Sequence, residues 1–152
     1  HVYELYKGQY IGIFANRKNT KLTKKFTTDI TSKKIKKFKN KSDIKINNLS
    51  NFCSEMTNRG AWAAWGAAAK GITFTNLFNK NLDSQFFLID INSIRQNKYV
   101  PCTGHKIVSP KLVKKMKPHT ILVMNGIYFN EIKKYLKENK IKSKLINLEK
   151  IS

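Results

Sequence analysis

The segment best suited to bind a charged ligand runs from Gly66 to Thr73, with the sequence Gly-Ala-Ala-Ala-Lys-Gly-Ile-Thr. Its small residues let a ligand approach the main chain closely, and Lys70 adds a full positive charge. The segment follows a predicted strand and opens a predicted helix, whose N-terminal N–H groups would favour an anion. We therefore expect this turn to hold a phosphorylated ligand. The candidate binding residues in it are Gly66, Ala69, Lys70, Gly71 and Thr73.

The order of residues in this turn differs from two common phosphate-binding patterns. Lys70 precedes the second glycine, whereas the lysine of a P-loop follows it, and the segment does not match Gly-x-Gly-x-x-Gly either. On spacing alone, a turn of small residues that packs a helix tightly onto a sheet is an equal alternative. The pattern of the turn leaves both interpretations open.

Three further residues at the ends of predicted strands are candidates for substrate binding. Asp90 ends a strand about twenty residues beyond the turn, where a dinucleotide-binding fold places the acid that holds a ribose. A turn-forming or helix-capping role for Asp90 is an equal alternative. Thr103 and His105 precede the next strand, and the imidazole could hydrogen-bond an oxyanion or act as a general base. A lone histidine is more often structural, so we assign no residue a catalytic role.

Alternating strands and helices must position these residues. Apolar runs predict the strands, and N-cap residues, glycines and a proline mark the helix ends. Short connections in a strand-helix-strand order favour a parallel sheet with right-handed crossovers. We therefore expect an α/β fold with a Rossmann-like three-layer parallel sheet. The predicted strands are 61–65, 85–90, 105–108, 120–124 and 144–146, and the predicted helices run from cap residues at 47–50 to Gly60, then over 71–78, 109–116 and 128–139.

The chain divides on composition into three parts. Residues 1–17 alternate loosely between apolar and polar and predict a short β-hairpin. Residues 18–46 are dominated by lysine, threonine and serine, which is typical of a basic linker or a solvated helix. The Rossmann-like domain is expected over residues 47–152. Because the chain begins with His1 instead of methionine, we expect it to be part of a longer protein.

The net charge of +21 would attract phosphates, nucleic acids or anionic surfaces. Almost all of the positively charged residues are lysines. Arginine, which proteins that bind specific nucleic-acid sequences prefer, occurs only at Arg17, Arg59 and Arg95. We therefore expect no specific nucleic-acid partner. The alternative function is a module that binds nucleic acid or an anionic surface through its lysine-rich segment, residues 18–45.

The cysteines and the hydropathy of the chain indicate whether to expect a metal site, a disulfide framework or a membrane span. Cys53 and Cys102 are far apart and lack the spacing of a zinc site or a disulfide framework, so no metal site is expected. We expect Cys102 to be a small buried residue. No apolar run approaches the length of a membrane span. A cytoplasmic protein without a membrane partner is the expectation that follows.

Taken together, four segments of the chain resemble the C-terminal domain of sugar C-methyltransferases. They are residues 59–73, residues 88–92, residues 99–107, and residues 117–125 with Glu131-Ile132 after them. All four occur in the order that this family shows. The resemblance extends from about Leu49 nearly to the end of the chain.

The resemblance implies a place in a larger enzyme. Members of the family combine a zinc-binding module, a middle domain that binds S-adenosylmethionine and this Rossmann-like C-terminal domain. Together these methylate a carbon of a nucleotide-linked keto-sugar, and the C-terminal domain helps to hold the nucleotide-diphosphate sugar. By this resemblance residues 66–73 grip the diphosphate, and Thr103 with His105 match a substrate-binding loop. The zinc and the S-adenosylmethionine would belong to domains that this chain lacks.

Overall fold

The computed structural model describes residues 2–5, 10–13 and 31–151, and the chain divides into a unit of residues 1–32 and a unit of residues 33–152. In the first unit, strand β1 (Val2–Leu5) pairs antiparallel with strand β2 (Tyr10–Ile13), as expected for the hairpin. Residues 14–30, which include much of the predicted basic linker, lie outside the described residues.

The second unit begins with a helix much longer than predicted. Helix α1 spans Ser32–Asn58, so the predicted start at the cap residues 47–50 was wrong. Because extending a formed helix is easier than starting one, polar residues that could cap a helix are carried inside it instead. The first half of α1 is exposed, and only the second half buries apolar side chains, namely Leu49, Cys53 and Met56. Among the described residues, no helix is both long and apolar enough to cross a membrane.

Five parallel strands form the sheet of this unit, which confirms the predicted Rossmann-like α/β fold. In the sheet they lie side by side in the order β5-β4-β3-β6-β7. β5 is shorter than predicted, because Lys106 pairs with Tyr99 in an antiparallel bridge instead. The strands are β3 (Trp62–Trp65), β4 (Phe86–Ile89), β5 (Ile107–Val108), β6 (Thr120–Val123) and β7 (Lys144–Asn147), and the later helices are α2 (Ala69–Leu77), α3 (Val113–Met116) and α4 (Phe129–Glu138).

Apolar side chains on both faces of the sheet hold the three layers together. On one face, Trp62 packs among apolar residues of α1 and α2, and its ring centroid lies 4.6 Å from that of Phe86. On the other face, Ile121 packs among residues of α3 and α4. The central strands are therefore buried on both sides, as is usual for a parallel sheet.

The connections of the sheet change direction between β3 and β6, which are neighbours in space but distant in sequence. In open α/β sheets, ligands bind beyond the carboxyl ends of the strands at such a switch point. The turn after β3 and the turn after β6 border this position. We call this side of the sheet the carboxyl edge, and the side where the strands begin the amino edge.

Candidate functional site

The turn between β3 and α2 is held by the backbone of the neighbouring strand. Gly66 adopts a φ of +116°, which favours glycine, and its N–H donates to the carbonyl of Ile89 at 2.8 Å. Helix α2 then begins without a side-chain cap, because the N-cap residue Ala68 has no acceptor. The N–H groups of the first turn of α2 therefore receive no hydrogen bond from an N-cap side chain.

Gly71 lies beneath this turn and is buried. A Cβ at Gly71 would overlap the carbonyl oxygen of Gly66 and would lie 3.3 Å from Leu88 Cδ2. Gly71 therefore lets α2 pack directly against the turn and the sheet. Both interpretations of the small residues apply in part, since the turn packs tightly and also presents exposed residues at the carboxyl edge.

Those exposed residues are on the first turns of α2. Ala69 and Thr73 are four residues apart, so they lie on one face of the helix, and both are exposed. The side chain of Lys70 is 60% exposed, and its Nζ lies 3.5 Å from Glu149 Oε1. These three predicted site residues thus lie on the first two turns of α2, which follow Gly66 at the switch point.

Asp90 braces the same turn from inside. It is only 5% exposed, and its Oδ2 accepts a hydrogen bond of 2.8 Å from the N–H of Ala67. Its Oδ1 accepts a second one, also of 2.8 Å, from the N–H of Asn92, and Arg95 Nη1 lies 3.5 Å from Oδ2. Both carboxylate oxygens are therefore used within the protein. Their contacts make Asp90 a residue that positions the turn.

Glu149 is a member of this edge that the sequence analysis missed. It follows β7. Its Oε2 would be 2.7 Å from a Cβ at Gly126, which begins the short helix between β6 and α4. Its carboxylate thus lies between the two turns that border the switch point. The signal available in the sequence was the position of Glu149 just after the last predicted strand.

Thr103 and His105 lie elsewhere, at the amino edge. They precede β5, and His105 Nε2 is 3.1 Å from the carbonyl oxygen of Asp83, which precedes β4. A four-residue strand spans about 13 Å, so these residues are on the far side of the sheet from Lys70. They line a cavity of about 750 Å³ together with Asp83, Tyr99 and Met116. The structure therefore splits the predicted site residues into two groups.

Two residues that line the amino-edge cavity each have a buried polar atom without a partner in the described structure. The carbonyl of Asp83 can only accept, so His105 donates from Nε2, and in a neutral imidazole Nδ1 is then an acceptor. His105 Nδ1 and Thr103 Oγ1 are both buried without a hydrogen-bond partner. A buried polar group that lacks a partner reduces stability.

This geometry predicts an unusual response to Thr103→Val. Removing a buried hydroxyl without a partner should leave the free energy of unfolding unchanged or raise it by about 1 kcal/mol. The matched control is Thr75→Val, because the buried Thr75 hydroxyl donates to the carbonyl of Gly71 at 2.8 Å and its loss should destabilise. Urea unfolding measures both. A larger loss for Thr103→Val than for the control would contradict the prediction.

The two cysteines differ in environment, and one expectation was wrong. Burial raises the pKa of the Cys53 thiol to about 12, so this thiol is protonated and not a nucleophile at neutral pH. Cys102 is exposed, not buried as expected, because it lies in a turn with a φ of +70°. In the parts of the chain that the structure describes, no three histidine, cysteine or acidic side chains are grouped to hold a metal ion.

Comparison with known proteins finds a matching family model and similar solved structures. The family model of the C-methyltransferase C-terminal domain matches residues 19–146. No curated protein sequence matches the chain. Among solved structures, UDP-D-quinovosamine 4-dehydrogenase from Vibrio fischeri is similar over 58% of this chain and 76% of that chain, with 17% sequence identity and a TM-score of 0.43. A likeness of this degree carries no functional implication.

Proposed function

The chain belongs to the family of C-methyltransferase C-terminal domains, and from this we propose that it holds the substrate of an enzyme that methylates a carbon of a nucleotide-linked sugar. Membership of the family supports a role in methyl transfer. The nucleotide-linked sugar is our proposal, and it rests on the resemblance of the four segments and on the geometry of the carboxyl edge. In this proposal the β3–α2 turn grips the diphosphate.

The single observation that carries the diphosphate proposal is the exposed Lys70 beside an uncapped helix N-terminus at the switch point. Backbone N–H groups and a lysine can each donate to phosphate oxygens. Ala69 and Thr73 border the same surface, and neither carries a charge that would repel an anion. A diphosphate offers oxygens to both kinds of donor at once.

Two features of the carboxyl edge count against an S-adenosylmethionine site on this chain. Asp90 is where a nucleotide-binding fold would hold a ribose, but it is only 5% exposed, and its two oxygens already accept hydrogen bonds from Ala67 and Asn92. Lys70 would also repel the sulfonium of the methyl donor. The residues present do not fit that cofactor. We therefore propose that the methyl donor and the catalytic base belong to another part of the enzyme.

Thr103 and His105 are not part of the proposed diphosphate site, because the cavity that they line is at the amino edge. His105 Nδ1 would accept a hydrogen bond, and the Thr103 hydroxyl can donate or accept one. The diphosphate proposal does not depend on them.

Lys70→Ala tests the diphosphate proposal directly. Removing one charge-assisted contact at an exposed site should weaken the binding of UDP-glucose or dTDP-glucose about tenfold, as measured by calorimetry. The matched control is Lys134→Ala, because Lys134 is also exposed and lies 3.8 Å from the carboxylate of Glu138 on α4. The control should bind like the wild type. Absence of binding by the wild type, or equal losses in both variants, would contradict the proposal.

The second candidate function uses the exposed first half of α1. Lysines occupy much of this half, and all residues from 32 to 41 are exposed. A module that binds nucleic acid or an anionic surface through this helix would lose affinity steeply with salt, and Lys70→Ala would leave its binding unchanged. Neutralising the lysines of this segment would remove the salt dependence if the second function is correct, whereas Lys70→Ala would not, and this difference distinguishes the two functions.

A further inference from the structure

We propose that Glu149 lowers the affinity of the carboxyl edge for anions by competing with phosphate for Lys70, an inference that rests on the function proposed above. The carboxylate of Glu149 occupies the space between the two turns where the diphosphate would be held. Binding of an anion there requires the Glu149 side chain to move away. The competition lowers the affinity of every anion that binds Lys70 by the same factor.

The Glu149 carboxylate lies between the two turns that border the switch point. Its Oε1 is 3.5 Å from Lys70 Nζ, on the β3–α2 turn. Its Oε2 lies over Gly126, on the turn after β6, where a Cβ would be only 2.7 Å away. One carboxylate therefore contacts both sides of the switch point, which is the place of the pyrophosphate in a Rossmann-like fold.

The surroundings hold the backbone of Glu149 while its side chain stays movable. The N–H of Glu149 donates to Asn147 Oδ1 at 3.0 Å, which fixes the start of the short helix after β7. Asn147 Nδ2 would be 2.6 Å from a Cβ at Gly126, so the glycine leaves room for both side chains. The Glu149 side chain is 56% exposed and can swing into solvent.

The chemistry favours competition over a role in holding sugar hydroxyls. Oε1 faces a cation, so this oxygen is placed as a phosphate oxygen would be. A carboxylate beside a bound diphosphate would also repel it. If Glu149 instead accepted hydroxyls of the substrate, removing its charge would weaken binding. The two roles therefore predict opposite changes in affinity.

Glu149→Gln and Gly126→Ala test this inference by different routes. Glutamine removes the charge, whereas the alanine Cβ would displace the Glu149 carboxylate together with the Asn147 amide without changing the net charge. We expect each variant to bind inorganic pyrophosphate and UDP-glucose about three- to fivefold more tightly than the wild type, the size of an exposed ion pair. Adding Lys70→Ala to Glu149→Gln should abolish the gain.

The control for overall charge is Glu138→Gln, which removes an exposed carboxylate paired with Lys134 at the other end of α4. An equal gain in this control would overturn the inference. Unchanged or weaker binding by Glu149→Gln, with binding by the wild type intact, would also overturn it and leave the proposed function standing. If neither the wild type nor Glu149→Gln binds either probe, both proposals fail.

Discussion

Gly71→Ala should destabilise the 33–152 unit by about 3 kcal/mol, a large effect for one methyl group. The new Cβ would overlap the Gly66 carbonyl oxygen and would lie 3.0 Å from the Gly66 carbonyl carbon. These are backbone atoms of a turn that is hydrogen-bonded to β4, so they cannot rotate away as a side chain can. Either α2 moves off the sheet or the turn breaks its bond to Ile89.

Urea unfolding followed by tryptophan fluorescence would measure this loss, because Trp62 and Trp65 are buried in the strand that leads into the turn. The control is Gly104→Ala. Gly104 has a φ of +72° but no neighbouring atom within 4 Å of an added Cβ, so only backbone strain of about 1 kcal/mol is expected. A Gly71→Ala protein as stable as this control would show that the close packing of α2 on the turn is not required.

Asp90→Asn should cost about 2 kcal/mol, although the two side chains have almost the same shape. An asparagine has one acceptor oxygen, so it can satisfy the N–H of Ala67 or that of Asn92 as Asp90 does, but not both. Its amide group would then face the remaining N–H, donor against donor. Ala67 is fully buried, so water cannot replace the lost bond there.

Asp83→Asn is the matched control for this substitution. Asp83 Oδ1 also accepts from a backbone N–H two residues ahead, that of Gln85 at 2.9 Å, but this bond is exposed. The control should therefore change the free energy of unfolding by less than about 0.5 kcal/mol. If Asp90→Asn unfolds at the same urea concentration as the control, the bracing role of Asp90 is wrong.

These two variants concern the support of the turn, whereas the variants at Lys70 and Glu149 concern its ligand. Under conditions where Asp90→Asn remains folded, we expect it to bind pyrophosphate more weakly as well, since the turn would lose its fixed shape. Lys70→Ala should weaken binding without changing stability, because the Lys70 side chain is exposed. The pair of measurements thus separates positioning of the site from contact with the ligand.

Much of the fold could be predicted because its signals are local. The runs that form β3 and β4 are apolar at every position, β6 is apolar after Thr120, and the structure buries all of their residues. The start of α1 could not be predicted, since the polar residues near Asn47 have the types of a helix cap, and only the continuing helix decides that they lie inside it. The bounds of β5 also depended on the pairing of Lys106 with Tyr99, a residue outside the predicted strand.

The sequence by itself determined the turn from Gly66 to Thr73, because the strand end, the glycines, the lysine and the helix start are contiguous. Only the tertiary structure decided which distant residues meet this turn. Glu149 is 79 residues from Lys70 and contacts it because β7 and β3 end at the same edge of one parallel sheet. His105 is excluded from that edge because it lies where its strand begins. The direction of a strand, which composition does not encode, sets these distances.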